Sequence, residues 1–287
     1  MTQEYYIIGK QGDNRYNFNK LDQSELEAIE QSCEILYKFG YYDKRETEIK
    51  ENLKEFLKVY EYAEGEIKTK TDSELRDGVY NLIFININRT FTNYLSSYKI
   101  QIDNFDIHLK NKYGRKSTEY QKFDKHKKMI YDTNFTHRLF YNLRNYSQHI
   151  YFPINHISKN SEKVGQGMED SMLIAFDKKR FLGDDFLIKK IGTDLEKCND
   201  FVPVMVHINN SQKIIEDIYK MYMIIEQSSL TSHADLINKY TSVVPFNMQP
   251  LYGYWEHITP TTGACRTTIF PMDLVDKLYK KLNEFCL

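Results

Sequence analysis

The sequence predicts a mainly α fold. An antiparallel helical bundle occupies the middle, preceded by a short strand-and-helix extension and followed by a mixed α+β region. Three observations carry that expectation. Proline and glycine are scarce, 6 and 12 in 287 residues, so long stretches contain no helix breaker. Apolar residues recur at three- and four-residue spacing through much of the first half. After Pro153 that period gives way to shorter runs of mixed character.

The elements follow in order. YYIIGKQGDNRYNF (5–18) reads as two short strands around a Gly-Asp-Asn turn. Asp22 or Ser24 then caps a helix to about Phe39, with Leu26, Ile29, Cys33, Leu36 and Tyr37 on one stripe. A second helix covers roughly 44–62, and Gly65 begins a polar joint. Asp72 or Ser73 starts the longest helical segment, to about Tyr113, which a kink is expected to interrupt. Gly114 ends it, Ser117 opens the next helix to about Tyr131, and a third runs from near Thr133 to just before Pro153. Beyond it, 171–182 suggests a strand, paired with the segment near 154–164. FLIKKIGTDLEKC looks mixed, 203–227 and 233–243 look like two helices, LYGYWEHIT and ACRTTIF like strands, and 274–285 like a last helix. These divide the chain into 1–71, a bundle at 72–155 and a mixed region at 156–287.

Composition excludes several classes. Hydrophobic residues at 41% and charged residues at 28% give a chain that buries a core and stays in solution. No run of apolar residues is long enough to span a membrane. MTQEYYIIGKQGDN lacks the basic and apolar regions of a signal peptide. Cys33, Cys198, Cys265 and Cys286 lie far apart without a CxxC pair, so neither a disulfide framework nor a zinc site is expected, and a cytoplasmic location fits. His108, His126 and His137 have no ligand-like companions, and GKQGDN and GQGMED lack the Lys-Ser/Thr ending of a phosphate loop and read as turns. Neither metal nor cofactor is expected.

The chemistry concentrates in FYNLRNYSQHIYFP (140–153). Asn145 and His149, four apart, share a helix face, whereas Arg144 and His149 are about 140° apart around the axis. His149 falls in the last turn, where unpaired carbonyls favour a cation, and imidazole exchanges protons near neutral pH. Arginine offers a planar, permanent cation suited to phosphate. Arginine with histidine and no carboxylate cluster suits RNA cleavage in which the ribose 2′-OH is the nucleophile.

LRNYSQHIYFP resembles the R-N-x-x-x-H motif of the HEPN superfamily of small helical bundles. HLKNKYGRKSTEY and FTHRLFYNLRNYSQHIYFP are similar to a bacterial HEPN-like group in which RNY-x-QH closes a helix before a proline. The resemblance covers about residues 72–155. It implies a metal-independent endoribonuclease, common among toxins and antiphage or abortive-infection effectors, with Arg144 holding the scissile phosphate, Asn145 orienting it and His149 as acid or base. It also implies a site built where two HEPN units meet. The chain contains no second Arg-His pair at this spacing, so a homodimer is the expected assembly. An inhibitor or sensor protein is the further partner implied. The alternative is a non-catalytic HEPN-like module that binds RNA, a nucleotide or a partner protein.

Supporting features have two readings. Lys110–Lys128 carries eight Lys or Arg against Glu119 and Asp124, and Lys112, Arg115, Lys116, Lys125, Lys127 and Lys128 either neutralise an RNA backbone or solvate a helix face. Tyr141, Tyr146, Tyr151 and Phe152 either stack on unpaired bases or pack. Arg138 is a second phosphate ligand or the partner of an acidic residue on the long helix.

Overall fold

The computed structural model describes residues 4–164, 167–257 and 263–287. It begins with the expected hairpin: β1 (Tyr5–Gln11) and β2 (Asn14–Leu21) are antiparallel, joined by a two-residue turn whose first residue, Gly12, sits at φ +58°. Only glycine adopts that value without strain. The protein is mainly helical, with two small antiparallel sheets among the described residues, and its chain divides into two compact units. One comprises the chain up to Asp43 with Met223–Leu287; the other is Lys44–Tyr222.

In the first unit, β6 (Gln249–His257) and β7 (Gly263–Ile269) complete a sheet of order β2-β1-β6-β7. Gly253 lets β7 approach closely, because a Cβ there would lie 2.0 Å from the Arg266 carbonyl oxygen. Ile7, Ile8, Leu251, Phe270, Leu274 and Leu278 are buried in this unit. The last two belong to α9 (Met272–Glu284), close to the expected terminal helix.

Helix α1 runs unbroken from Gln23 to Thr69, where two helices were expected. Gly40 alone does not stop it. Glycine in a helix costs only about 1 kcal/mol, and a side chain at this position would collide with Leu274. The second half of α1 belongs to the other unit, as does everything that bears on the motif.

There, Thr71 and Glu74 form a capping box: the Thr71 N–H donates to Glu74 Oε2 at 2.8 Å, and the Glu74 N–H donates to Thr71 Oγ1. The short α2 (Asp72–Glu74) passes into a π turn, Leu75–Val79, in which Tyr80 N–H donates to Leu75 O. Gly78 at φ +99° lies within it, and this turn is the kink expected from the sequence. Helix α3 (Tyr80–Tyr113) ends at Gly114, φ +84°. Helix α4 (Thr118–Thr133) starts on the Ser117 hydroxyl, which accepts from Tyr120 N–H, and α5 (Phe135–His149) on Asn134, whose Oδ1 accepts from His137 N–H. Phe140 packs edge-on against Phe91, Tyr94 and Tyr98 of α3, fixing the motif helix to the core.

The chain then forms β3 (His156–Val164) and β4 (Gly167–Asp177), antiparallel as expected. The turn expected at GQGMED falls partly on 165–166, outside the described residues. Residues 178–182, expected to continue the strand, are instead α6 (Lys178–Leu182), because Asp177 Oδ1 caps the N–H groups of Lys179 and Arg180. FLIKKIGTDLEKC resolves into α7 (Asp185–Glu196), capped by Asp184 and buried along Leu187, Ile191 and Leu195. Strand β5 (Phe201–Pro203) pairs with β4 and leads into α8 (Val204–Thr241), one helix where two were expected. The polar run QSSLTSH does not break it, since buried Leu230, Ala234 and Ile237 continue its apolar stripe.

Candidate functional site

Helix α5 delivers the motif in its last turns. Thr136, His137, Leu139, Phe140, Asn142, Leu143 and Tyr146 are buried, which turns Gln148 and His149 to solvent and leaves Arg144 and Asn145 half-buried. Arg144 Nη1 donates to Asn145 Oδ1 at 3.3 Å, so the two polar residues of the motif hold one another. Arg144 Nε is buried without a partner among the described residues. His149 is the last helical residue, and Ile150 N–H closes the turn on Tyr146 O at 2.8 Å.

The chain leaving this helix is clamped. Asn88 of α3 is fully buried; its Nδ2 donates to Ile154 O at 2.9 Å, and its Oδ1 accepts from Ile154 N–H at 2.9 Å. Ile150, Tyr151 and Phe152 lie between His149 and this clamp, all substantially exposed. Phe152 meets Phe84 edge-on at 5.5 Å, and the Arg180 guanidinium lies 4.2 Å from the Tyr151 ring centroid.

The other candidates separate into engaged and free groups. Arg138 is engaged: it pairs with Asp194 of α7, not with the long helix, and donates to the carbonyls of Tyr131 and Asp132. That arrangement leaves it structural and corrects its assignment as a phosphate ligand. Tyr146 is 3% exposed and packed against Phe181, so it has no face for a base. Lys127 pairs with Asp106 and Asp124, and Lys128 with Asp124 at 2.6 Å. Lys112 lies over the Tyr113 ring. Arg115, Lys116 and Lys125 are exposed and have no ion-pair partner among the described residues. His126 Nε2 lies 3.1 Å from Asp217.

Arg180 was not anticipated. The sequence read its segment as strand, and only the Asp177 cap brings this guanidinium onto Tyr151, two residues beyond His149. An acidic residue directly before KKR was the available signal. Comparison with protein-family models, curated proteins and solved structures finds no match to this chain.

Proposed function

We propose that this protein is a metal-independent endoribonuclease of the HEPN type, acting as a homodimer. The observation that carries the reading is the exposure of His149 at the end of α5, one turn beyond a hydrogen-bonded Arg144–Asn145 pair. A histidine serving only to fill the core would be buried, as His207 is.

In the proposed reaction His149 takes the proton of a ribose 2′-OH or gives one to the departing 5′-oxygen. The 2′-oxygen attacks the adjacent phosphorus, the P–O5′ bond breaks, and the products are a 2′,3′-cyclic phosphate and a 5′-hydroxyl. Arg144 stabilises the charge on the phosphorane-like transition state, and Asn145 orients Arg144. A second copy supplies the opposing acid or base, because one helix holds Arg144 and His149 about 140° apart. The exposed Ile150, Tyr151 and Phe152 support an interface beside the motif.

Among the described residues no helix is long and apolar enough to cross a membrane. A cytoplasmic toxin or antiphage effector, restrained by an inhibitor or sensor protein, is the role this reading entails. The exposed apolar triplet equally favours the second reading, a non-catalytic module binding a partner protein, RNA or a nucleotide.

The test incubates the purified chain with labelled single-stranded RNA and total tRNA in excess EDTA, beside His149→Ala and Arg144→Ala. Cleavage by wild type alone, reduced about 10²–10⁴-fold in His149→Ala and leaving cyclic-phosphate ends, is expected. Equal background from all three removes the ribonuclease reading and favours the binding module.

A further inference from the structure

A cleft of about 340 Å³ opens between α3, α4 and α5, lined by Ile102, Asp103, Lys127, Tyr131, His137 and Tyr141. Its size falls at the lower end of the range of small-molecule sites, about 300–1,000 Å³. Neither Arg144, Asn145 nor His149 lines it.

The chemistry of its wall is specific. His137 is 2% exposed, and its Nδ1 lies 2.8 Å from the Tyr98 hydroxyl. Tyr98 is buried and has no other hydrogen-bond partner for that hydroxyl among the described residues, so the phenolic proton goes to Nδ1. Burial first, then the charges of Lys127 and Arg138, push His137 down to about 4, which keeps the ring neutral at pH 7. A neutral imidazole accepting at Nδ1 carries its proton on Nε2. That N–H has no hydrogen-bond partner among the described residues, and the ring lines the cleft.

Three aromatic rings form a corner. Tyr131 stands nearly perpendicular to His137, at 5.9 Å and 85°, and to Tyr141, at 5.9 Å and 87°. Asp132, exposed and also lining the cleft, has a carboxylate without a partner among the described residues. The lysines are each engaged: Lys99 pairs with Asp103 at 2.5 Å and lies 4.8 Å from the Tyr141 ring centroid, leaving the ring's other face for a ligand, while Lys127 pairs with Asp106 and Lys128 with Asp124. The charged groups that line it, Asp103 and Asp132 against Lys127 and Lys128, balance, so it exerts little net pull on phosphate.

A ligand complementary to this wall is planar, uncharged, and carries both an acceptor for the His137 N–H and a donor for the Asp132 carboxylate. We propose that the cleft binds a nucleobase, recognised through ring stacking and its hydrogen-bonding edge, and not through phosphate. The base belongs either to a free nucleoside or to an unpaired nucleotide of RNA; only the second source rests on the RNA reading above.

The test is titration calorimetry of the full chain with adenosine, guanosine, cytidine and uridine, with their 5′-monophosphates, and with a mixed-sequence single-stranded RNA. Tyr141→Ala, at a partly exposed position, and Asp132→Asn, at an exposed one, are the variants, each checked for folding. Saturable binding of at least one nucleoside is expected, weakened about tenfold by Tyr141→Ala, the scale of lost base–aromatic stacking. Its monophosphate is expected to bind within about threefold of it. RNA binding that responds to both variants without nucleoside binding assigns the base to RNA. Binding that neither variant changes, no binding at all, or monophosphates that bind far more tightly than nucleosides would overturn the proposal. Nucleoside binding is read without any cleavage step, so a failure to cleave RNA leaves this result standing.

Discussion

Arg138 and Asp194 meet through two parallel hydrogen bonds, Nε to Oδ2 at 2.8 Å and Nη2 to Oδ1 at 2.9 Å. Nη1 of the same guanidinium donates to the Tyr131 and Asp132 carbonyls at the end of α4. One side chain therefore ties α4, α5 and α7 together, in the geometry that only arginine offers. Arg138→Ala leaves a largely buried carboxylate and two carbonyls without their donor. It is expected to lower stability in urea denaturation by about 3 kcal/mol. Arg138→Lys, with one point charge for a fork, is expected to recover less than half of that.

The Asn88 clamp makes a second expectation. Its amide satisfies both the N–H and the carbonyl of Ile154, just after the proline that ends the motif segment. Asn88→Ala strands two buried backbone groups, at about 1–3 kcal/mol each. Denaturation should show a loss of roughly 2–4 kcal/mol, and hydrogen exchange should show faster opening around 150–155 than in wild type.

The sequence made most of this architecture legible where local rules dominate. The start at Ser117, the stop at Gly114 and the end of α5 before Pro153 each follow from neighbours within a turn or two. It misled where a distant contact decides. A helix end was read at about Phe39, and Leu274, which fills the space beside Gly40, is more than two hundred residues away. Arg138 was left between a phosphate ligand and a partner on the long helix because Asp194 lies on a helix the sequence left undefined. Tyr146 looked available for stacking because Phe181 belongs to a segment read as strand. Helical spacing put Asn145 and His149 on one face; the contact between Arg144 and Asn145, the exposure of His149 and the cleft at His137, which draws on three helices at once, were not legible.

The basic segment divides into two functional expectations. Arg115 and Lys116, exposed beside the α3–α4 turn, have no ion-pair partner among the described residues. If they contact RNA, replacing both with alanine should weaken binding and flatten the log–log salt slope by about 1.4 for a single strand. Stability should stay within about 0.5 kcal/mol. Lys127→Ala should behave in the opposite way, leaving RNA affinity nearly unchanged while lowering stability by roughly 1 kcal/mol, because Asp106 loses its partner. Filter binding across salt concentrations, with parallel urea melts, checks both.

Acid should weaken the Lys44–Tyr222 unit through two histidines. His137 and His207 are buried, the latter with Nδ1 2.8 Å from the Thr136 hydroxyl, and burial pushes each down to about 4 from 6.5. Their folded-state values lie below the unfolded value, so between pH 6.5 and 4 the unfolded chain binds more protons than the folded one. Their contribution is therefore fully present above about pH 6.5 and is lost as pH falls toward 4. At 1.36 kcal/mol per pKa unit the loss is of order 3 kcal/mol for each. His207→Gln cannot take up that proton, so its urea midpoint should fall less steeply over this interval than that of wild type. Parallel slopes for the two proteins would show that His207 is not protonated on unfolding.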